Sequence, residues 1–193
     1  MDLAKLKRDQ VLKVELRDTE YVFNTTWGLF SPRGIDNGTY QLLERIEINP
    51  GENCLDVGCG YGPIGIVMAR LSETGKVTMV DKDFVAVEYA AKNAAANGLT
   101  NIDTMLSNGL QQLPEDARFD VIAANLPSNA GKELLDIITQ QAHARLVTGG
   151  RFYVVTITGL RDYMKKTFRE TFGLYKKLNQ GRNHAVAMTT RMR

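Results

Sequence analysis

Cys54-Leu55-Asp56-Val57-Gly58-Cys59-Gly60-Tyr61-Gly62-Pro63-Ile64-Gly65 is the stretch that decides the fold. Residues 54–57 read as a strand, and the run over 63–71 is so apolar that it reads as a largely buried helix. The glycines between them let the main chain turn sharply and let a ligand approach it closely. A strand that enters a glycine loop and passes at once into a helix is the opening of a nucleotide-binding βαβ unit.

Outward from this stretch, strands and helices alternate. Residues 76–80, 102–106, 119–124 and 152–157 read as strands; 84–97, 132–146 and 160–172 read as helices. Gly98 is a good stop for the alanine-rich helix over 84–97. The chain closes with strands over 174–178 and 185–190, joined through Gly181-Arg182-Asn183. The pattern predicts an α/β fold: a seven-stranded, mostly parallel sheet with an antiparallel finish and helices on both faces. Such sheets bind ligands at the carboxyl ends of their strands. Toward the N-terminus, strands over 11–16 and 21–25 flank the turn Arg17-Asp18-Thr19 as a small hairpin, followed by a short helix over 39–46. No linker or repeat interrupts the chain. Residues 1–193 are therefore read as one domain, with hairpin and lead-in helix over 1–50 and the core over 51–193.

Two ligands compete for the glycine loop. Gly60-Tyr61-Gly62-Pro63-Ile64-Gly65 satisfies G-x-G-x-x-G, and Asp81 follows Gly60 by 21 residues, where a dinucleotide fold keeps its ribose-binding acid. A nicotinamide-dependent oxidoreductase is thus one reading. Against it, Asp56 ends the strand itself, where a pyrophosphate gains nothing from a negative charge. The first glycine also follows the strand directly, and the fourth strand runs into the polar turn Asn125-Leu126-Pro127-Ser128 at the same sheet edge.

Asp-x-Gly-x-Gly, an acid closing the second strand and Asn-x-Pro closing the fourth together resemble a class I S-adenosylmethionine-dependent methyltransferase, with its Rossmann-like sheet. Gly28-Leu29-Phe30-Ser31 and Asp36-Asn37-Gly38-Thr39 resemble the lead-in of the small-domain methyltransferases related to the rRNA guanine-N2 enzymes. Residues 125–133 resemble the single-domain members, and the extra N-terminal domain of the two-domain enzymes is not expected. The resemblance implies that Asp56, Gly58, Gly60 and Gly62 hold the methionine part of S-adenosylmethionine. It implies that Asp81 takes the ribose hydroxyls, and that Asn108 accepts the adenine amino group where relatives usually carry Asp. Lys82 and Phe84 would flank the adenosine.

It also implies the chemistry. Methyl transfer from a sulfonium needs alignment more than a strong base. An exocyclic amino group is a poor nucleophile unless acceptors on its hydrogens orient it and localise its lone pair. In the family pattern Asn-Pro-Pro-aromatic, the Asn side chain and the next carbonyl supply those acceptors; here they are Asn125 and Leu126, with Pro127 stiffening the turn. Ser128 stands where relatives carry the aromatic that stacks on the target base, a contact worth about 1–3 kcal/mol. Trp27, Phe30 or Tyr61 are the candidates to replace it, and Phe30, Ser128 and Lys132 make up the substrate side. A plain strand-to-helix turn capped by Asn125 is the structural alternative.

Composition narrows the field further. The chain has 193 residues, 44% hydrophobic and 24% charged, ordinary values for a water-soluble domain of cytoplasmic type. No run approaches the roughly 20 apolar residues of a membrane span, and residues 1–8 lack a signal-peptide core. Cys54 and Cys59 fit no disulfide framework or common zinc spacing, and His143 and His184 leave little for a metal site. Net charge is +2, yet residues 145–193 hold 11 Lys/Arg against 2 Asp/Glu, and residues 1–144 hold 13 against 20. Arg161, Lys165, Lys166, Arg169, Lys176, Lys177 and Arg182 carry that excess. With the resemblance, it makes RNA the expected partner and guanine N2 the expected acceptor. A protein amide or a small-molecule amine is the rival substrate, and a domain that binds cofactor without turnover is the non-enzymatic rival.

Overall fold

The computed structural model describes residues 9–127 and 131–193. Ser128 lies outside the described residues. A seven-stranded sheet forms the centre, in the order β5-β4-β3-β6-β7-β9-β8. β3 (Cys54–Val57), β4 (Val77–Asp81), β5 (Ile102–Leu106), β6 (Phe119–Asn125) and β7 (Leu146–Ile157) run parallel. β9 (His184–Thr190) runs antiparallel between β7 and β8 (Lys176–Gln180). The expected sheet and its antiparallel finish are both present.

Side chains leave the sheet alternately, as the pleat dictates. Cys54, Val121, Ala123, Tyr153 and Val155 enter one core with α1 (Asn37–Leu43), α2 (Pro63–Ser72) and α3 (Phe84–Ala96). Leu55, Ile122, Ala124, Phe152 and Val154 enter the other with α4 (Lys132–Arg145) and α5 (Arg161–Phe172). Burial on both faces explains why β3 and β6 read as nearly continuous apolar runs.

Several boundaries differ from the sequence reading, among them the lead-in helix, which spans Asn37–Leu43, and two differences have clear physical reasons. β7 begins at Leu146, because its ladder with β6 jumps from Phe119–Leu146 to Val121–Arg151 across a bulge that holds Gly149. Gly149 has φ +82° and donates its N–H to the Arg191 carbonyl at 2.7 Å, so a sequence that looks like a turn stays in the sheet. β8 lies at the sheet edge with exposed Lys176 and Lys177, and its start shifts two residues from the expected one because no apolar alternation marks it.

β1 (Gln10–Leu16) and β2 (Thr19–Thr25) form a separate two-stranded hairpin docked on α3. The dock is polar. Asn97 accepts the Val22 N–H at 3.0 Å and donates to the Val22 carbonyl at 2.8 Å. One helical turn earlier, fully buried Asn93 accepts the Asn24 N–H at 2.6 Å and donates to the carbonyls of Asn24 and Tyr61, both at 2.9 Å. Two side-chain amides thus pair with the outer edge of β2 much as another strand would, and Asn93 also grips the glycine loop. Phe23 meets the Tyr61 ring edge-on at 5.8 Å beneath that loop.

Asn93→Ala leaves several buried backbone groups without partners. We expect a loss of about 2–4 kcal/mol in unfolding free energy by urea denaturation. A change under about 0.5 kcal/mol contradicts the role given to this clamp.

Candidate functional site

A cleft of about 760 Å³ opens at the carboxyl ends of β3, β4, β6 and β7. Its floor is the glycine loop, pinned to the end of β4: the N–H groups of Gly58 and Cys59 donate to the Val80 carbonyl at 2.8 and 3.0 Å. Gly58 and Gly60 have positive φ, and a Cβ on either would project into space free of protein atoms within 4 Å. The bare backbone is therefore what a ligand would touch. Gly62 does something else. It starts α2 at φ +97° and packs on Ile66, Met79 and Ala90, away from the cleft wall.

Two carboxylates brace the loop from adjacent strands. Asp81 accepts the Gly60 N–H on Oδ2 at 2.9 Å and the Asp83 N–H on Oδ1 at 3.0 Å. It lines the cleft with lone pairs on both oxygens to spare. Asp56 sits beneath. It is completely buried, accepts the Gly65 N–H at 2.8 Å, and is absent from the cleft wall. Its Oδ2 thus holds the first turn of α2 directly after the loop, while its Oδ1 is buried with no hydrogen-bond partner among the described residues. Burial pushes its carboxyl from the usual 3.8 up to about 7, with the Asp81 charge adding to the rise and the Gly65 N–H opposing it.

Across the cleft, Asn125 ends β6. Its Nδ2 donates to Asp36 Oδ2 and to Thr39 Oγ1, both at 3.0 Å. Both amide hydrogens are used, so the carbonyl oxygen is the side left for a ligand. Leu126 is buried and donates its N–H to the Val155 carbonyl at 3.0 Å, while Pro127 is exposed at the wall. Asn108 and Lys82 line the β4–β5 end, and Phe84, 61% exposed, stands outside the wall. Of the three aromatics considered for stacking, Tyr61 is consumed: its hydroxyl donates to the carbonyls of Ser31 and Gly34 at 3.3 and 3.1 Å. Trp27 is not in the wall. Phe30 is, and the residue is 64% exposed. Lys132 is exposed at the start of α4, its Nζ 5.3 Å from the Tyr163 ring centre, and is not among the residues lining the cleft.

The sequence reading missed Asp36, Thr39 and His184 as wall residues. Asp36-Asn37-Gly38-Thr39 had signalled only a helix start and a family likeness. Asp36 is indeed the N-cap of α1, accepting the Thr39 N–H at 3.2 Å. Gly38 is the hidden signal: a Cβ there would lie 2.8 Å from Asp36 Oδ2 and 3.0 Å from His184 Cδ2. Only glycine lets α1 come this close to β7 and β9.

A family model described as the methyltransferase small domain matches residues 20–188. The chain belongs to the methyltransferase small-domain family. Within it, the Bacillus subtilis uncharacterized protein YbxB is 32% identical over 147 residues, covering 76% of this chain and 73% of that protein. The ribosomal RNA small subunit methyltransferase C of Hamiltonella defensa is 29% identical, covering 97% of this chain and 53% of that protein. Among solved structures, the T. thermophilus 16S rRNA N2 G1207 methyltransferase in complex with AdoMet and guanosine superimposes with a TM-score of 0.86 at 27% identity. That match covers 95% of this chain and 50% of the other. The chain thus spans about half the length of the named rRNA methyltransferases it matches. With the small-domain family established, the nicotinamide reading of the glycine loop is set aside.

The Asp56 carboxyl carries a pH signature. Because its folded value is raised to about 7, the native state holds a proton that the unfolded state has lost above about pH 4. Stability therefore falls as pH rises through that window and levels off beyond it. Asp56→Asn keeps an oxygen for the Gly65 N–H but removes the slope. Urea unfolding of both proteins at about pH 5 and about pH 8 should show wild type losing ground to the variant on going up. A constant difference means Asp56 ionises normally.

Proposed function

We propose that this chain binds S-adenosylmethionine in the cleft and methylates an exocyclic amino nitrogen of a base in RNA, guanine N2. The observation that carries this reading is Asn125. Its amide is held by Asp36 and Thr39 with the carbonyl oxygen left over, opposite a glycine loop whose backbone is bare. That oxygen and the Leu126 carbonyl suit an acceptor that brings two N–H bonds.

The residues present fit the cofactor. The open backbone at Gly58 and Gly60 admits the methionine part, and the spare lone pairs of Asp81 suit a ribose diol. Asn108, whose side chain makes no hydrogen bond among the described residues, takes the adenine edge, and Lys82 covers it from the rim. When bound, the cofactor supplies a methyl group on a positively charged sulfur. The chain's share is alignment: Asn125 and Leu126 hold the amino hydrogens so that the nitrogen lone pair faces the methyl carbon. The carbon–sulfur electron pair stays with sulfur as the new carbon–nitrogen bond forms, and the amino nitrogen then sheds one proton to water. Phe30 is the stacking ring, taking the part of the aromatic that relatives carry where this chain has Ser128.

RNA is supported by the activity of the related ribosomal RNA methyltransferases and by the rim. Arg182, in the β8–β9 turn, and Arg161, at the start of α5, stand level with the carboxyl end of β7. Lys176 and Lys177 lie farther down the sheet edge, and Arg169 is in the last turn of α5, so the basic residues are not confined to the cleft rim. They suit a long anionic backbone better than a compact amine. Residues 1–193 are read as one methyltransferase domain, acting in the cytoplasm where RNA is available.

Total RNA from a strain lacking the gene, incubated with protein and methyl-labelled S-adenosylmethionine, should take up label recovered as N2-methylguanosine. Label only in protein or small molecules contradicts the RNA reading. Asp81→Ala should weaken cofactor binding by at least about tenfold in calorimetry. Asn125→Ala should cut transfer about 100-fold or more while cofactor affinity stays within about threefold. Full activity in Asn125→Ala would reduce the β6 turn to a structural element.

A further inference from the structure

We propose that Asp36 is the residue that selects guanine over the other amino-bearing bases, by accepting the ring N1–H beside the amino group that Asn125 holds. The proposal rests on the reading of the cleft as a guanine N2 site and adds the residue that recognises the ring.

Asp36 Oδ2 is fully engaged: it accepts the Thr39 N–H at 3.2 Å and the Asn125 Nδ2 hydrogen at 3.0 Å. Its Oδ1 makes no hydrogen bond among the described residues, and the side chain lines the acceptor half of the cleft. Two oxygen acceptors, Asp36 Oδ1 and Asn125 Oδ1, therefore flank a single 3.0 Å hydrogen bond on one wall. A carboxylate can only accept, so it demands a donor from whatever sits beside the amino group.

The bases differ at that position. Guanine carries a donor, N1–H, next to its 2-amino group. Adenine and cytosine carry an unprotonated ring nitrogen next to theirs, and its lone pair would face the carboxylate oxygen. A site built around a buried or half-buried hydrogen-bonding group rejects a ligand that leaves that group unpaired far more strongly than an apolar pocket rejects a misfit. Asn125 alone cannot make this choice, since any amino group satisfies it.

The Asp36 position is well determined. Gly38 leaves no room for a Cβ between Asp36 and His184, and Thr39 ties both the Asp36 side chain, through its N–H, and Asn125, through its hydroxyl. Orientation of Asn125 and recognition of the ring are thus two tasks of one carboxylate.

Guanosine and 2-aminopurine riboside separate them, because the second keeps the amino group and lacks N1–H. NMR titrations with the S-adenosylhomocysteine-loaded protein should show guanosine binding at least about tenfold more tightly, the range of one hydrogen bond to a charged group. Asp36→Asn retains an oxygen for the Thr39 N–H and offers an N–H to the cleft. It should weaken guanosine, bind 2-aminopurine riboside as well as or better than guanosine, and keep S-adenosylhomocysteine affinity within about twofold. Equal binding of the two nucleosides by wild type overturns the assignment of Asp36 while leaving a guanine amino site standing, and needs no variant to fold. Unchanged discrimination in a folded Asp36→Asn overturns it as well. If neither nucleoside binds but S-adenosylhomocysteine does, the guanine reading itself fails and Asp36 falls with it.

Discussion

The hydrogen bond from Asn125 Nδ2 to Asp36 Oδ2 joins residues 89 positions apart and closes the cleft between the N-terminal segment and the sheet. Much of the rest of the fold serves to bring those two groups together. The hairpin is clamped to α3 by Asn93 and Asn97, and Tyr61 holds the lead-in loop through the carbonyls of Ser31 and Gly34. The chain then turns into α1, and Gly38 lets that helix settle against Val155 and His184. Without this path, Asn125 would end an ordinary parallel strand with its amide free to turn either way. The N-terminal segment is therefore part of the site.

The cleft divides its work by charge. Asp81 lines one side and Asp36 the other; in the proposed reading the first faces the hydroxyl-bearing cofactor and the second the donors of the base. Asp56 lies buried beneath the loop, and its raised carboxyl reflects burial beside Asp81. The proposed transfer needs no strong base between the two halves, because such a reaction asks for alignment and for acceptors that localise a lone pair. The wall accordingly holds carbonyl and carboxylate oxygens at strand ends and at the N-terminus of α1.

Most of the core was legible in the sequence because parallel strands buried on both faces leave continuous apolar runs, as in β3 and β6. The glycine loop, Asp81 and Asn125 announce themselves by sitting at strand ends, and the structure brings them to one cleft. The bulge at Gly149 and the edge strand β8 escaped, since one resembles a turn and the other lacks alternation. In the site, Asp56 and Gly62 carry the motif's residue types but face inward, a distinction that depends on packing and not on spacing. Asp36, Thr39 and His184 come from distant parts of the chain. Their meeting is tertiary, and locally Asp36 and Thr39 look like any helix start.

The most direct test is a crystal structure with S-adenosylhomocysteine bound. The account predicts the homocysteine over the backbone of Gly58 to Gly60, both ribose hydroxyls within hydrogen-bond reach of Asp81, and the sulfur turned toward Asn125, whose amide still donates to Asp36 and Thr39. A ligand seated elsewhere, or an Asn125 amide that has released Asp36 and presents its nitrogen to the sulfur, would contradict it.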